Sequence, residues 1–115
     1  MKTEFNIQQE IVVWFRNTYC LKHHEKRCAI FSVPNEAAYK NKMFIQTGLM
    51  VGVSDLIVII DSKTLYFEVK TLKGKQSPKQ IEFEETVKNL NQQYYLVRSL
   101  EQFKTIIIDE SIRRE

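Results

Sequence analysis

Residues 54–80 read SDLIVIIDSKTLYFEVKTLKGKQSPKQ, and the fold is decided inside them. Leu56 to Ile60 is apolar throughout, the pattern of a strand covered on both faces, and Asp61-Ser62-Lys63-Thr64 has the composition of a hairpin turn. From Leu65 to Lys70 the apolar Leu65, Phe67 and Val69 alternate with Tyr66, Glu68 and Lys70, which predicts a return strand with one greasy and one charged face. Ser77-Pro78-Lys79-Gln80 then has the signature of a helix start, with serine as cap, proline at the first helical position and glutamine able to return a hydrogen bond to the cap. The helix it opens runs to about Leu90, carries Phe83, Val87 and Leu90 in one stripe, and is long enough for a right-handed crossover.

Working outward, Tyr94 to Val97 reads as a fourth strand, which the crossover makes parallel to the third, beside an antiparallel hairpin. Ser99-Leu100-Glu101-Gln102 repeats the capping box and opens a last helix with Leu100, Phe103, Ile106 and Ile107 on one face. Upstream, Ile7, Ile11, Trp14 and Phe15 give residues 4–20 a helical apolar stripe with Glu10 on its flank. Cys28 to Val33 is a short strand stopped by Pro34. The stretch from Asn35 to Val53 is mixed: Glu36 to Phe44 is compatible with a helix, and Gly48 and Gly52 bracket a turn-like approach to the hairpin. The expected order is α-β-β-β-α-β-α, an α/β domain whose mixed four-stranded sheet is flanked by helices.

At 115 residues and 43% apolar composition the chain has the size and core of one domain, expected to span 1–115 without repeat or linker. The 27% charged residues and sparse Gly and Pro exclude a disordered or fibrous chain. No apolar run approaches the roughly 18 to 20 residues that span a bilayer, so no membrane span is expected. Glu4, Gln8, Gln9 and Glu10 interrupt any signal-like apolar block, and two cysteines fit a reducing compartment; the expected address is cytoplasmic. Net charge is only +3, but Lys70, Lys73, Lys75 and Lys79 fall together with no acidic residue among them, a local patch that could meet phosphates.

The hairpin carries the chemistry. With the turn centred between Ser62 and Lys63, Asp55 lies opposite Lys70 and Ile57 opposite Glu68, so Asp55, Glu68 and Lys70 converge on one face. Asp55 and Glu68 become diagonal neighbours roughly 7 to 8 Å apart between Cα atoms, a gap one hard divalent ion can bridge. Such an ion would support phosphodiester hydrolysis, with Lys70 either holding the attacking water as a cation or acting as a neutral general base. Acid and lysine two apart are common on a solvated sheet face; here the adjoining strand reads as covered, where unpaired charge is costly. A one-residue slip would send Asp55 to the other face and remove the argument.

Gly52-Val53-Ser54-Asp55-Leu56, Glu68-Val69-Lys70, Gly74, Ser77-Pro78 and Gln80 together resemble the VRR-NUC branch of the PD-(D/E)xK nucleases, over most of the chain. The spacing from Glu68-Val69-Lys70 to Ser77-Pro78 and Gln80 is the specific part. Ser54 stands where that family usually has proline, and Asn91 where a glycine is frequent after the helix; a left-handed cap tolerates asparagine. The resemblance implies a restriction-endonuclease-like core and an Mg²⁺- or Mn²⁺-dependent DNA endonuclease acting on branched or non-standard duplexes. It implies Asp55, Glu68 and the Val69 carbonyl as metal ligands, Lys70 as catalytic lysine, and roles for Glu10 from the first helix and Gln80 beside the site. Glu10 is equally readable as a solvated helix acid, and Gln80 as a capping residue.

Lys73, Lys75, Ser77 and Lys79 are the expected DNA contacts, a homodimer is expected by analogy, and no organic cofactor is expected. The rival is a DNA-binding or assembly module that kept the fold without cutting. Cys20, His23, His24 and Cys28 match no common zinc spacing, Lys22, Lys26 and Arg27 read as a solvated loop or a secondary phosphate contact, and Trp14, Phe31 and Phe67 read as core.

Overall fold

The computed structural model describes residues 2–20, 28–33, 48 and 50–112. Thr3 opens the first helix, α1 (Glu4–Phe15), through a reciprocal cap: its hydroxyl accepts the Asn6 N–H at 3.1 Å and the Asn6 side chain accepts the Thr3 N–H at 3.3 Å. Ile7, Ile11 and Phe15 form its buried stripe. The helix then widens into a π-helical turn, Arg16–Cys20, so the segment expected as one helix over 4–20 comes in two parts.

Strands β1 (Cys28–Ser32), β2 (Leu56–Ile60), β3 (Lys63–Val69) and β4 (Gln93–Val97) form one sheet in that spatial order. The first three are antiparallel neighbours, and β4 joins β3 in parallel through the crossover helix α2 (Pro78–Asn89). Helix α3 (Leu100–Ile112) closes the chain. The mixed sheet and the element order expected from the sequence are the ones observed. The possible helix over Glu36 to Phe44 lies outside the described residues, as do His23, His24, Lys22, Lys26 and Arg27.

The hairpin register differs from the expected one. Asp61 and Ser62 take φ of +46° and +70°, the two left-handed positions of a tight two-residue turn whose twist suits the flanking strands. Ile60 therefore pairs with Lys63 and Ile57 with Tyr66, two residues away from the predicted partner. Because the slide is even, every side chain keeps its face.

The main core lies between one sheet face and helices α1 and α3, where Leu56, Val58, Leu65, Phe67, Val69 and Val97 meet Phe15, Phe103 and Ile107. Phe67 packs directly on Phe103, and Trp14 stands edge-on to it. On the other face α2 lays Phe83 against Tyr66 and Tyr94. Phe31 and Ile59 sit on the β1–β2 half of that face and are 46% and 40% exposed, so Phe31 is not the core residue read from the sequence, and β2 is not covered throughout. Leu90 is 66% exposed because it ends α2 as its cap, followed by Asn91 in the left-handed conformation, φ +61°. At α3, the Ser99 hydroxyl accepts the Gln102 N–H as expected, while the Gln102 side chain reaches Arg98 N–H. Among the described residues no helix is long and apolar enough to cross a membrane.

Candidate active site

The ladder between β2 and β3 ends at Leu56 and Phe67, and one further step brings Asp55 opposite Glu68. The Asp55 backbone turns away to accept the Val33 N–H at 3.0 Å. Its carboxylate takes over the next ladder position, with Oδ2 accepting the Val69 N–H at 2.7 Å. Within a strand a residue's N–H and C=O point to the same neighbour, so the Val69 carbonyl leaves β3 on the Asp55 side. The tighter turn thus sets the two acids directly across from each other, closer than the diagonal expected from sequence.

Glu68 is fully buried, on the sheet face that α2 covers. Its carboxyl is hydrogen-bonded to that of Asp55; Gln80 Nε2 donates to Oε2 at 3.0 Å and the Tyr94 hydroxyl to Oε1 at 3.4 Å. Burial, and then the hydrogen bond and negative charge of Asp55, push the Glu68 carboxyl up to about 9; the Lys70 charge and the Tyr94 hydroxyl pull the other way without prevailing. A cation held between the two acids would take the place of the proton on Glu68. Lys70, 8% exposed, is anchored by its N–H on the Val97 carbonyl at 3.0 Å, and its Nζ stands 3.9 Å from Glu68 Oε2.

Gln80 uses both ends of its amide. Its Oε1 accepts the Ser77 N–H at 2.8 Å while its Nε2 serves Glu68, so the side chain that completes the α2 cap also reaches the acid. The Ser77 hydroxyl is engaged in the same cap, accepting the Gln80 N–H at 3.2 Å. The first turn of α2 is held close by Gly52, at φ +89°, where a Cβ would lie 2.4 Å from the Lys79 carbonyl oxygen; only glycine fits both the conformation and the approach. Ser54, next to Asp55, is fully buried, and its hydroxyl has no hydrogen-bond partner among the described residues.

The three expected DNA-contacting lysines lie on the segment that leads from β3 into α2. Lys73 and Lys75 are exposed on the loop after β3, and Lys79 is exposed with Glu82 at 3.7 Å. Arg98 braces that loop from the end of β4, its Nη1 donating to the carbonyls of Thr71 at 2.6 Å, Leu72 at 3.3 Å and Gly74 at 2.7 Å. Glu10 is not brought to the other two acids: α1 packs on the opposite sheet face, and both Glu10 oxygens face Lys2 Nζ, at 2.8 and 3.0 Å. Among the described residues no three His, Cys, Asp or Glu side chains gather as a ligand group.

Sequence reasoning missed Tyr94 and Gln76. Tyr94 lies on the fourth strand, as the sequence pattern predicts, and its odd spacing from the core residue Val97 is the signal that it faces α2 and hence Glu68. Gln76, outside any element, gave no signal; its Nε2 donates to Tyr94 Oη at 3.2 Å and to Glu84 Oε1 at 3.0 Å.

Compared with solved structures, the chain is similar to one described as a "VRR_NUC domain protein", with a TM-score of 0.73 and 21% identity, covering 95% of this chain and 88% of that one. At that identity the likeness establishes the fold, which is the one the hairpin and crossover motifs resemble. No family model matches the sequence, and no curated protein does.

Proposed function

We propose, starting from that fold, that the domain is a divalent-metal-dependent endonuclease that hydrolyses DNA phosphodiester bonds, with branched or non-standard duplexes as preferred substrates. The observation that carries the proposal is the contact between the Asp55 and Glu68 carboxyls beside Lys70 Nζ. The donor set suits a hard cation, since two carboxylates and a carbonyl oxygen are ligands that Mg²⁺ and Mn²⁺ favour, and a cation would offset the burial and the Asp55 interaction that otherwise keep a proton on Glu68. Asp55, Glu68 and the Val69 carbonyl would hold it, and a bound ion would supply Lewis acidity toward a phosphate oxygen and a more acidic water.

The chain's own residues do the rest. Val69 N–H fixes the Asp55 carboxylate, and Gln80 fixes Glu68. Lys70, whose Nζ is 3.9 Å from Glu68 Oε2, would hold the attacking water and balance charge developing on the phosphorus oxygens. Lys73, Lys75 and Lys79 meet the flanking phosphates, each a contact that fixes position without reading sequence. Ser77 contributes through the N-terminus of α2, whose backbone favours an anion. One centre cuts one strand, so the proposal includes a two-fold homodimer on a duplex.

The test is to incubate labelled duplex, flap, splayed and four-way DNA with Mg²⁺ or Mn²⁺, comparing the parent with Asp55→Ala and Lys70→Ala, and to measure mass in solution by light scattering. Metal-dependent cutting by the parent alone supports the reading. Cutting that survives both substitutions refutes it, and tight binding without cutting supports a non-cleaving module on this fold.

A further inference from the structure

Glu68 offers two oxygens, and the structure treats them differently. Oε2 receives the Gln80 amide from α2, whereas Oε1 meets the Tyr94 hydroxyl from β4. A tyrosine hydroxyl carries a single proton, so its direction decides whether Tyr94 supports Glu68 as an acceptor.

That direction is set farther out. Lys88 Nζ pairs with Glu84 Oε2 at 2.6 Å, and Gln76 Nε2 donates to Glu84 Oε1 at 3.0 Å. Partial burial works against the charge of Glu84, but the hydrogen bonds from Lys88 and Gln76 outweigh it and hold the carboxyl below its usual range. An ionised Glu84 can only accept, so the Gln76 amide must turn its NH₂ toward it. One of those two protons goes to Glu84 and the other to the Tyr94 oxygen, 3.2 Å away. Tyr94 then has its own proton to give, and Glu68 Oε1 is the acceptor it meets. Tyr94 is buried against Phe83, so the hydroxyl has little freedom to turn elsewhere.

We infer that Tyr94, Gln76 and Glu84 form a directional chain of positioning residues that holds Glu68 as a hydrogen-bond acceptor in the orientation a divalent cation requires. The inference rests on the proposal that Glu68 ligates a metal. Such outer partners fix the rotamer of a ligand, and their loss characteristically weakens metal binding while leaving the ligand present.

The test is Mn²⁺ binding by the full chain without DNA, read by isothermal titration calorimetry, with thermal unfolding alongside. Tyr94→Phe keeps the ring on Phe83 and removes only the donor; it should weaken Mn²⁺ binding about ten-fold or more. The Gln76 variants test direction. Gln76→Glu puts an acceptor beside Tyr94, draws its proton away from Glu68 and should weaken binding as Tyr94→Phe does. Gln76→Met removes the donor that orders the Tyr94 hydroxyl without offering it an acceptor, and should weaken binding less than Gln76→Glu does. Parent-like binding by Tyr94→Phe overturns the inference, and so does equal weakening by both Gln76 variants, which marks a packing role. If Tyr94→Phe does not fold, the Gln76 pair decides alone. No Mn²⁺ binding by the parent refutes the metal reading of Glu68 and the inference with it.

Discussion

Raising the pH of the metal-free protein from 6 to 8 should destabilise it through Glu68. Burial first, and then the hydrogen bond and charge of Asp55, move that carboxyl from 4.5 to about 9. The unfolded chain loses this proton near 4.5, whereas the folded chain keeps it until about 9, so between those values the native state binds one proton more. The stabilisation is complete below the unfolded value and drains away as pH rises toward the folded one. One proton of difference is worth about 1.4 kcal/mol per pH unit, hence about 3 kcal/mol between pH 6 and 8. With an unfolding entropy of about 2.1 cal/mol/K per residue, a chain of this length loses roughly 10 °C of Tm over that range. Calorimetric melts in a chelating buffer would measure it, with Glu68→Gln as the control. The glutamine amide supplies the donor that Asp55 otherwise receives from the protonated acid, so the variant's slope should be flatter by one proton. Mn²⁺ at pH 8 should restore the parent and not the variant. Parallel pH curves for the two proteins would refute the reasoning, because the titrating group would then lie elsewhere.

Gly52→Ala should cost about 2 kcal/mol or more, from the positive φ and the approach to the Lys79 carbonyl together, seen as a lower denaturant midpoint with unchanged slope. Ser54→Ala should leave stability unchanged or raise it by up to about 1 kcal/mol, because it removes a buried hydroxyl with no partner among the described residues; a clear loss in thermal melts would assign that hydroxyl a role. Lys73→Ala with Lys75→Ala should weaken duplex binding evenly across sequences and reduce the slope of log affinity against log salt by about 2, measured by fluorescence anisotropy.

The sequence pattern carried the parts of the fold that depend on parity and period. Alternation in Leu65 to Lys70 separated the core face from the acidic one, and the Ser77 to Gln80 box marked the start of α2 to the residue. The turn was not legible, because Asp61 and Ser62 both take left-handed φ without glycine, and composition alone does not distinguish two loop residues from four. The acids nevertheless fell on one face, since the error was an even number of residues. Phe31 and Leu90 were misread because burial depends on which half of the sheet α2 covers and where it ends, and local pattern contains neither. The approach of Gln76 and Tyr94 to the site is tertiary: it appears only once the crossover has laid α2 and β4 beside β3.

The tight hairpin has a consequence for how the site assembles as the chain folds. Asp55 and Glu68 are brought together by zipping up a hairpin with a two-residue turn, the inexpensive kind of contact, whereas Tyr94, 26 residues from Glu68, arrives only when the parallel strand docks, a longer loop to close. The acid pair belongs to a local nucleus and its Tyr94 support to the later step. Substitutions in the β2–β3 ribbon should therefore slow folding, while those in α2 and β4 should chiefly hasten unfolding.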